Sequence, residues 1–536
     1  MHSHWTAAVL LALLLALSQA GIYADRYQEA YQIATAMSLD QKIGQAMQAD
    51  FTAFQNGDFT DADKAEKYFL GSLLVGGAGT PDLQGNMRIL PGNEYDDRKV
   101  YADSTMEKWQ ALAHRFNFSI KVTTQEGKTY DIRPLLGTDA VHGNQHISGT
   151  VLFPHNVGLA CTHNPENFYN AGYWTRVGVK ESGFNYAFAP TVAVSHNPQW
   201  GRFYETVGQE EDFIREYAQS YTYGLQGRPG SLSGILGSVK HFYADGATLY
   251  GADEGDAVVG SFKSFVRHNT QGYVGSIGAE IGSVMVSYSA INMMPNSINP
   301  AIKTILREKL GFDGLVISDY DEVEKVNQRL PTSLLTIASV THSLAEMVNA
   351  GMDMIMIPGW RGESAVTDVV EGLRTAIKDG TISMDRLNDA VARILAVKLV
   401  LGSATLQTSL KTQPDTAKEE EVHATTEYAD SLTAVHQSLV LLKNEGSVLP
   451  LDASKLEYVV LVGERVIEIR GITREIFRNF DDIGLQNGGW TLRWQGFEGN
   501  SQWEGSNRQS SNASSILDAL KGLSFKVPHC RVRLSC

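Results

Sequence analysis

Gly314-Leu315-Val316-Ile317-Ser318-Asp319-Tyr320 decides the fold: an uninterrupted apolar run of strand length, closed by a carboxylate and an aromatic ring. A strand that is apolar on both sides is covered on both faces, as in a parallel sheet flanked by helices. The same pattern recurs outward from it, at Leu70 to Val75, Asn185 to Ala189, Gly234 to His241, Gly282 to Tyr288 and Met352 to Ile357. Between these runs lie amphipathic segments. Asn299 caps one, with Pro300 at its first position, Lys303 to Leu310 as its body and Gly311 as its stop. Another runs from Ser383 to Leu401, with Leu387, Ala390, Val391, Ile394 and Val397 on one side before Gly402. Six or more βα units between Asp25 and Gly402 predict an α/β chain whose main domain, residues 25–402, is a (β/α)8 barrel.

Beyond Gly402 the composition changes. Residues 403–433 are rich in Thr, Ser, Lys and Glu and read as a linker, and a second, truncated α/β sandwich domain is expected over 434–536. Lys526 to Cys536 shows no strand or helix period and has the look of a truncation or a foreign reading frame. Ala7 to Leu17 followed by small residues reads as a signal peptide within residues 1–24, cut after Ala20 or Ala24, so a secreted protein is expected. No later stretch reaches the length of a membrane span, and none is expected once the signal is removed.

The chain has 536 residues, 45 Lys and Arg against 60 Asp and Glu, and a net charge of −15. That balance argues against nucleic acid as a partner. Cys161, Cys530 and Cys536 form neither a disulfide framework nor a zinc-ligand pattern. His142 and His146 have a spacing of four but lack the Glu of a zinc-hydrolase helix, and no phosphate loop or nucleophile elbow occurs; no metal and no cofactor are expected.

Reactive groups of a parallel barrel sit at the C-terminal ends of its strands. Asp319 there, beside Tyr320, suits attack on a sugar's anomeric carbon, where positive charge develops, although capping the next helix is an equally good reading. Asp139 and His142 follow another apolar segment, Lys240 and His241 end a third, and Arg202 stands in Trp200-Gly201-Arg202. Charge-assisted hydrogen bonds from such groups hold sugar hydroxyls, although each alone also suits a structural ion pair.

Taken with Phe153 to Asn156, Ala187 to Pro190, Val284 to Tyr288, Leu441 to Asn444 and Gly488-Gly489-Trp490-Thr491 to Gly496, these segments resemble glycoside hydrolase family 3, nearest its β-glucosidase and β-glucan exohydrolase branch. The resemblance runs from about residue 30 to 520. It implies a retaining hydrolase releasing glucose from the non-reducing ends of β-linked glucosides or glucan oligosaccharides. Asp319 matches the family's nucleophile. Asp139, Arg202, Lys240, His241 and Tyr288 match its glucose-holding residues. Tyr320 stands where many relatives have Trp, Trp494 matches the second-domain side of an aromatic clamp, and Glu254 resembles a supporting carboxylate. The branch's general acid/base is a Glu beyond the GGWT segment, and it has no match here; Glu464 lies upstream of Trp490 and reads as a loop carboxylate. Two alternatives follow: a catalytically impaired sugar-binding relative, or an N-acetylglucosaminidase of the same family, whose acid/base lies in the loop after Lys240-His241.

Overall fold

The computed structural model describes residues 21–56, 59–75, 80–84, 87–88, 104–147, 150–228, 234–329, 338–406, 420–452 and 486–491, with isolated positions between 468 and 519. The 1–20 leader, Glu464, and most of the expected 434–536 domain lie outside the described residues.

Eight short strands form one parallel sheet: β1 (Met47–Asp50), β2 (Ser72–Val75), β3 (Leu135–Thr138), β4 (Tyr186–Ala187), β5 (Leu236–Phe242), β6 (Ser283–Val286), β7 (Leu315–Ile317) and β8 (Ile355–Ile357). Each pairs in parallel with the next in sequence, β8 pairs with β1, and a parallel bridge between Ile317 and Met354 closes the ring. The result is the (β/α)8 barrel that the apolar runs predict, with helices outside it. Those runs contain six of the eight strands. β1 differs because Gln48 and Asp50 interrupt its apolar pattern; both are buried, Gln48 bonded to Ser72 Oγ at 2.6 Å and Asp50 to the Thr52 hydroxyl at 2.6 Å. Hydrogen bonding offsets the cost of burying polar groups, so a polar sequence forms a core strand.

The helix expected over 383–401 is present as Met384–Leu401, with Ser383 as its cap, Ser383 Oγ accepting from the Arg386 amide at 3.1 Å, and Gly402 left-handed at φ 76°. Its apolar residues Leu387, Ala390, Val391, Ile394 and Val397 are buried. The segment after Pro300 is helical but wider: Ile302–Arg307 winds as a π-helix, with the Glu308 amide on the Lys303 carbonyl and the Leu310 amide on the Ile305 carbonyl, both at 2.9 Å.

At the other end of the sheet Tyr23 plugs the barrel floor. Its ring is buried, its hydroxyl donates to the Glu280 carbonyl at 3.1 Å, and the Gln226 amide reaches that hydroxyl at 3.3 Å. The Ala24 amide donates to Asp313 Oδ2 at 3.0 Å.

Candidate active site

Apart from Glu254, the expected barrel residues of the site lie at the C-terminal ends of strands or in the loops that follow them. Asp139 follows β3, Arg202 stands in the loop after β4, Lys240 and His241 are in the last turn of β5, Tyr288 follows β6, and Asp319 and Tyr320 follow β7. In β5 the register advances from Val239 to Phe242 while β6 advances only from Val284 to Val286, so β5 holds one extra residue there. Such a bulge re-aims side chains. Two consecutive residues, Lys240 and His241, thereby both reach mouth groups: Lys240 Nζ donates to Asp139 Oδ1 at 2.8 Å, and His241 Nε2 stands 3.7 Å from Asp319 Oδ2.

Arg202 grips Glu205 through two bonds, 2.7 Å from Nε and 2.9 Å from Nη2. Its Nη2 also lies 3.2 Å from His241 Nε2. His241 Nδ1 faces Asp245 Oδ2 at 2.9 Å. Burial, then the Arg202 and Lys240 charges, holds His241 well below the usual imidazole range, so it is neutral. The neutral tautomer that fits carries its proton on Nδ1 toward Asp245, leaving the Nε2 lone pair to accept from Arg202. The 3.7 Å approach to Asp319 is therefore a contact between an acceptor ring and a carboxylate, not an ion pair.

Asp319 is nearly buried, and burial raises its pKa. Arg202 and Lys240 pull it back, as do the Tyr320 amide, which donates to Oδ1 at 2.7 Å, and the Tyr288 phenol. Tyr288 donates its hydroxyl to the Tyr320 carbonyl at 2.5 Å. The result is a carboxylate short of water but balanced by two cations, the state required of a nucleophile.

Other groups had weaker sequence signals. Glu205 is buried, yet Arg202 holds it charged, at about 2. It also accepts from Trp490 Nε1 at 3.0 Å, and the Lys240 ammonium stands 5.2 Å over the Trp490 ring. Trp490 therefore lies against the site core, while Trp494 is 52% exposed and contributes its carbonyl to the Trp490 amide at 3.0 Å. Both nitrogens of His142 face backbone carbonyls, Phe153 at 2.8 Å and Trp490 at 2.7 Å, so this residue ties the GGWT turn to the barrel. Glu254 lies outside this cluster: both its oxygens meet Lys325 Nζ at 2.5 Å, and that ammonium sits 4.0 Å over the Tyr288 ring. The spacing alone could have found Glu205, three residues after Arg202, and Asp245, four after His241.

Glu322, one turn beyond Asp319, is buried and accepts from Ser297 Oγ at 2.5 Å. Burial pushes it up to about 8. A raised carboxyl gives stability that is fully present below its unfolded value of about 4.5 and lost as the pH rises through 8. Glu322→Gln, a permanent mimic of the protonated form, is expected to melt above the parent at alkaline pH, with the gap closing toward pH ~5 in thermal melts. A gap independent of pH would contradict this.

Residues 38–397 match the family described as Glycosyl hydrolase family 3 N terminal domain. A lysosomal beta glucosidase of Dictyostelium discoideum is 26% identical over 87% of this chain and 52% of its own. A periplasmic beta-glucosidase of Salmonella typhimurium is 28% identical over 59% of this chain and 39% of its own. The chain thus spans about half or less of these relatives' lengths. Among solved structures, an exo-1,3/1,4-beta-glucanase from Pseudoalteromonas superposes with a TM-score of 0.70 at 27% identity, over 95% of this chain and 57% of that one. With its barrel closed in sequential order and the match covering that barrel, the chain belongs to glycosyl hydrolase family 3.

Proposed function

We propose that the protein is a retaining glycoside hydrolase acting on β-glucosides or β-glucan oligosaccharides, with Asp319 as nucleophile. The observation behind this reading is the convergence on Asp319 of Arg202, Lys240, His241 and Tyr288, from three different strand ends. In the reaction the Asp319 carboxylate forms a bond to the anomeric carbon as the glycosidic C–O bond breaks, and the aglycone oxygen takes up a proton. Water then attacks the same carbon, loses a proton and releases Asp319. Asp139, Lys240, Arg202 and neutral His241 offer the donors and acceptors that hold a glucosyl ring by its hydroxyls.

Among the described residues, three carboxylates near Asp319 are engaged elsewhere. Asp139 is committed to Lys240, Glu205 is held ionised by Arg202, and Asp245 is buried behind His241. Unless another group of the chain protonates the aglycone oxygen, activity should depend steeply on the leaving group. Dinitrophenyl β-glucoside, whose leaving group needs no proton, is expected to turn over while cellobiose is scarcely cleaved, a difference on the order of 10²- to 10⁴-fold. Azide should accelerate the former. Incubation with a 2-deoxy-2-fluoro-glucoside should add one sugar to the intact mass. No adduct would remove Asp319 from the nucleophile's role, and a clear preference for an aryl N-acetylglucosaminide would favour that branch of the family.

The export reading sharpens at the N-terminus. A cut after Ala24 would remove the buried Tyr23 ring, whereas a cut after Ala20 keeps it, so the secreted form is expected to begin at Gly21. N-terminal sequencing of the exported protein checks this, and a start at Asp25 would refute it.

A further inference from the structure

Trp360 is 69% exposed and stands directly beyond the end of β8. Single exposed apolar residues are ordinary on protein surfaces. This one differs in how its base is held. The Gly359 amide donates to the Tyr320 hydroxyl at 2.9 Å, and that hydroxyl reaches Asp50 Oδ2 at 3.3 Å. A Cβ on Gly359 would collide with Thr52 Oγ1 and lie 3.0 Å from the Asp50 carboxyl carbon. The ends of β1, β7 and β8 thus lock on one glycine, one residue before Trp360 and against the ring that follows the nucleophile. Asp321 follows Tyr320 on the same side; burial raises its pKa, and the Trp360 side chain is among the groups that draw it down.

A tryptophan immobilised from beneath, with its ring in solvent, presents a large apolar contact at little further entropic cost. At a barrel mouth this is the geometry for stacking on the C–H face of a sugar ring. Asp321 and Arg361 flank it as partners for hydroxyls, Arg361 being oriented by Asp368 at 2.6 Å.

We infer that Trp360 is an outer sugar-binding platform, engaged by the second or a later glucosyl unit of a β-glucan oligosaccharide and untouched by a single glucose. The inference rests on the proposed assignment of the Asp319 site to β-glucosides. In the full chain carrying Asp319→Asn, which prevents turnover, laminaritetraose and glucose are titrated calorimetrically with and without Trp360→Ala. The expected result is a roughly 5- to 100-fold loss of laminaritetraose affinity, an unchanged glucose affinity and an unchanged melting temperature. Trp360→Phe should recover most of the loss. Equal tetrasaccharide affinity with and without the indole, while glucose still binds, would overturn the platform alone. Parallel loss of glucose affinity would also overturn it, by placing Trp360 in the inner site. Failure of both sugars to bind the protein with Trp360 intact would overturn the platform together with the proposed function.

Discussion

Asp319→Asn is expected to abolish formation of the glucosyl-enzyme and to lower turnover of an aryl β-glucoside on the order of 10⁴-fold or more. The substitution keeps the shape and the acceptor for the Tyr320 amide, at present 2.7 Å from Oδ1, so the loss isolates the charge. Lys240 still has Asp139 and Arg202 still has Glu205, which keeps both cations paired and the fold intact. Asp319→Gly with added azide separates a nucleophile from a merely electrostatic carboxylate. Azide entering from the vacated side should displace the aglycone and give the α-glucosyl azide, whereas the parent enzyme should give the β-product through its covalent intermediate. The parent's pH profile carries the same information. Burial raises Asp319, so its ionised fraction, and with it the rate, should fall on acidification at a pH above the ordinary aspartate range. Turnover by Asp319→Asn within about tenfold of the parent would exclude it as nucleophile.

Most of the barrel is legible in the sequence because its strands are continuous apolar runs, and a fully covered strand has no other way to satisfy both faces. The failure at β1 has a local cause. Gln48 and Asp50 are core residues whose partners, Ser72 and Thr52, become apparent only once the strands are paired. The helix after Pro300 was legible in its cap, with Asn299 Oδ1 accepting from the Ala301 amide at 2.9 Å, but not in its π pitch. In the site, residues placed directly after apolar runs could be picked out. Glu205 and Asp245 carry only the weaker signal of their spacing from Arg202 and His241, because each sits in a loop and matters only through that partner. The GGWT turn was legible as a contributor, yet the ring that meets the site core is Trp490, and the clamp expected of Trp494 rests on a half-exposed side chain. Glu254, expected as a supporting carboxylate, reaches the site only through Lys325 and the Tyr288 ring.

Glu205→Gln should produce the largest loss of stability. It removes the charge that Arg202 meets through two bonds, in a site where Glu205 is 3% exposed and Arg202 side-chain exposure is 23%. Breaking one side of a buried pair costs about 3 to 5 kcal/mol. Asp319 and Asp245 also attract this guanidinium and offset part of that, so about 2 to 3 kcal/mol at neutral pH is expected. The sign of the pH dependence is fixed by the direction of the shift. Glu205 is depressed from 4.5 to about 2, so its contribution is present above 4.5 and lost as the pH falls through 2. The gap between parent and variant should therefore be widest near neutrality and shrink on strong acidification, as denaturant melts at the two conditions would report. Function should suffer in binding as well. Released from Glu205, Arg202 is free to turn toward Asp319, leaving the position from which the proposed function has it meet a sugar hydroxyl, and the Trp490 indole loses a charged acceptor at 3.0 Å. KM for an aryl β-glucoside should rise more than kcat falls, since the nucleophile and its cations other than Arg202 stay in place. Equal stability of the two proteins at neutral pH would show that Asp319 and Asp245 suffice to balance Arg202, and that Glu205 is not what holds the site's cation in position.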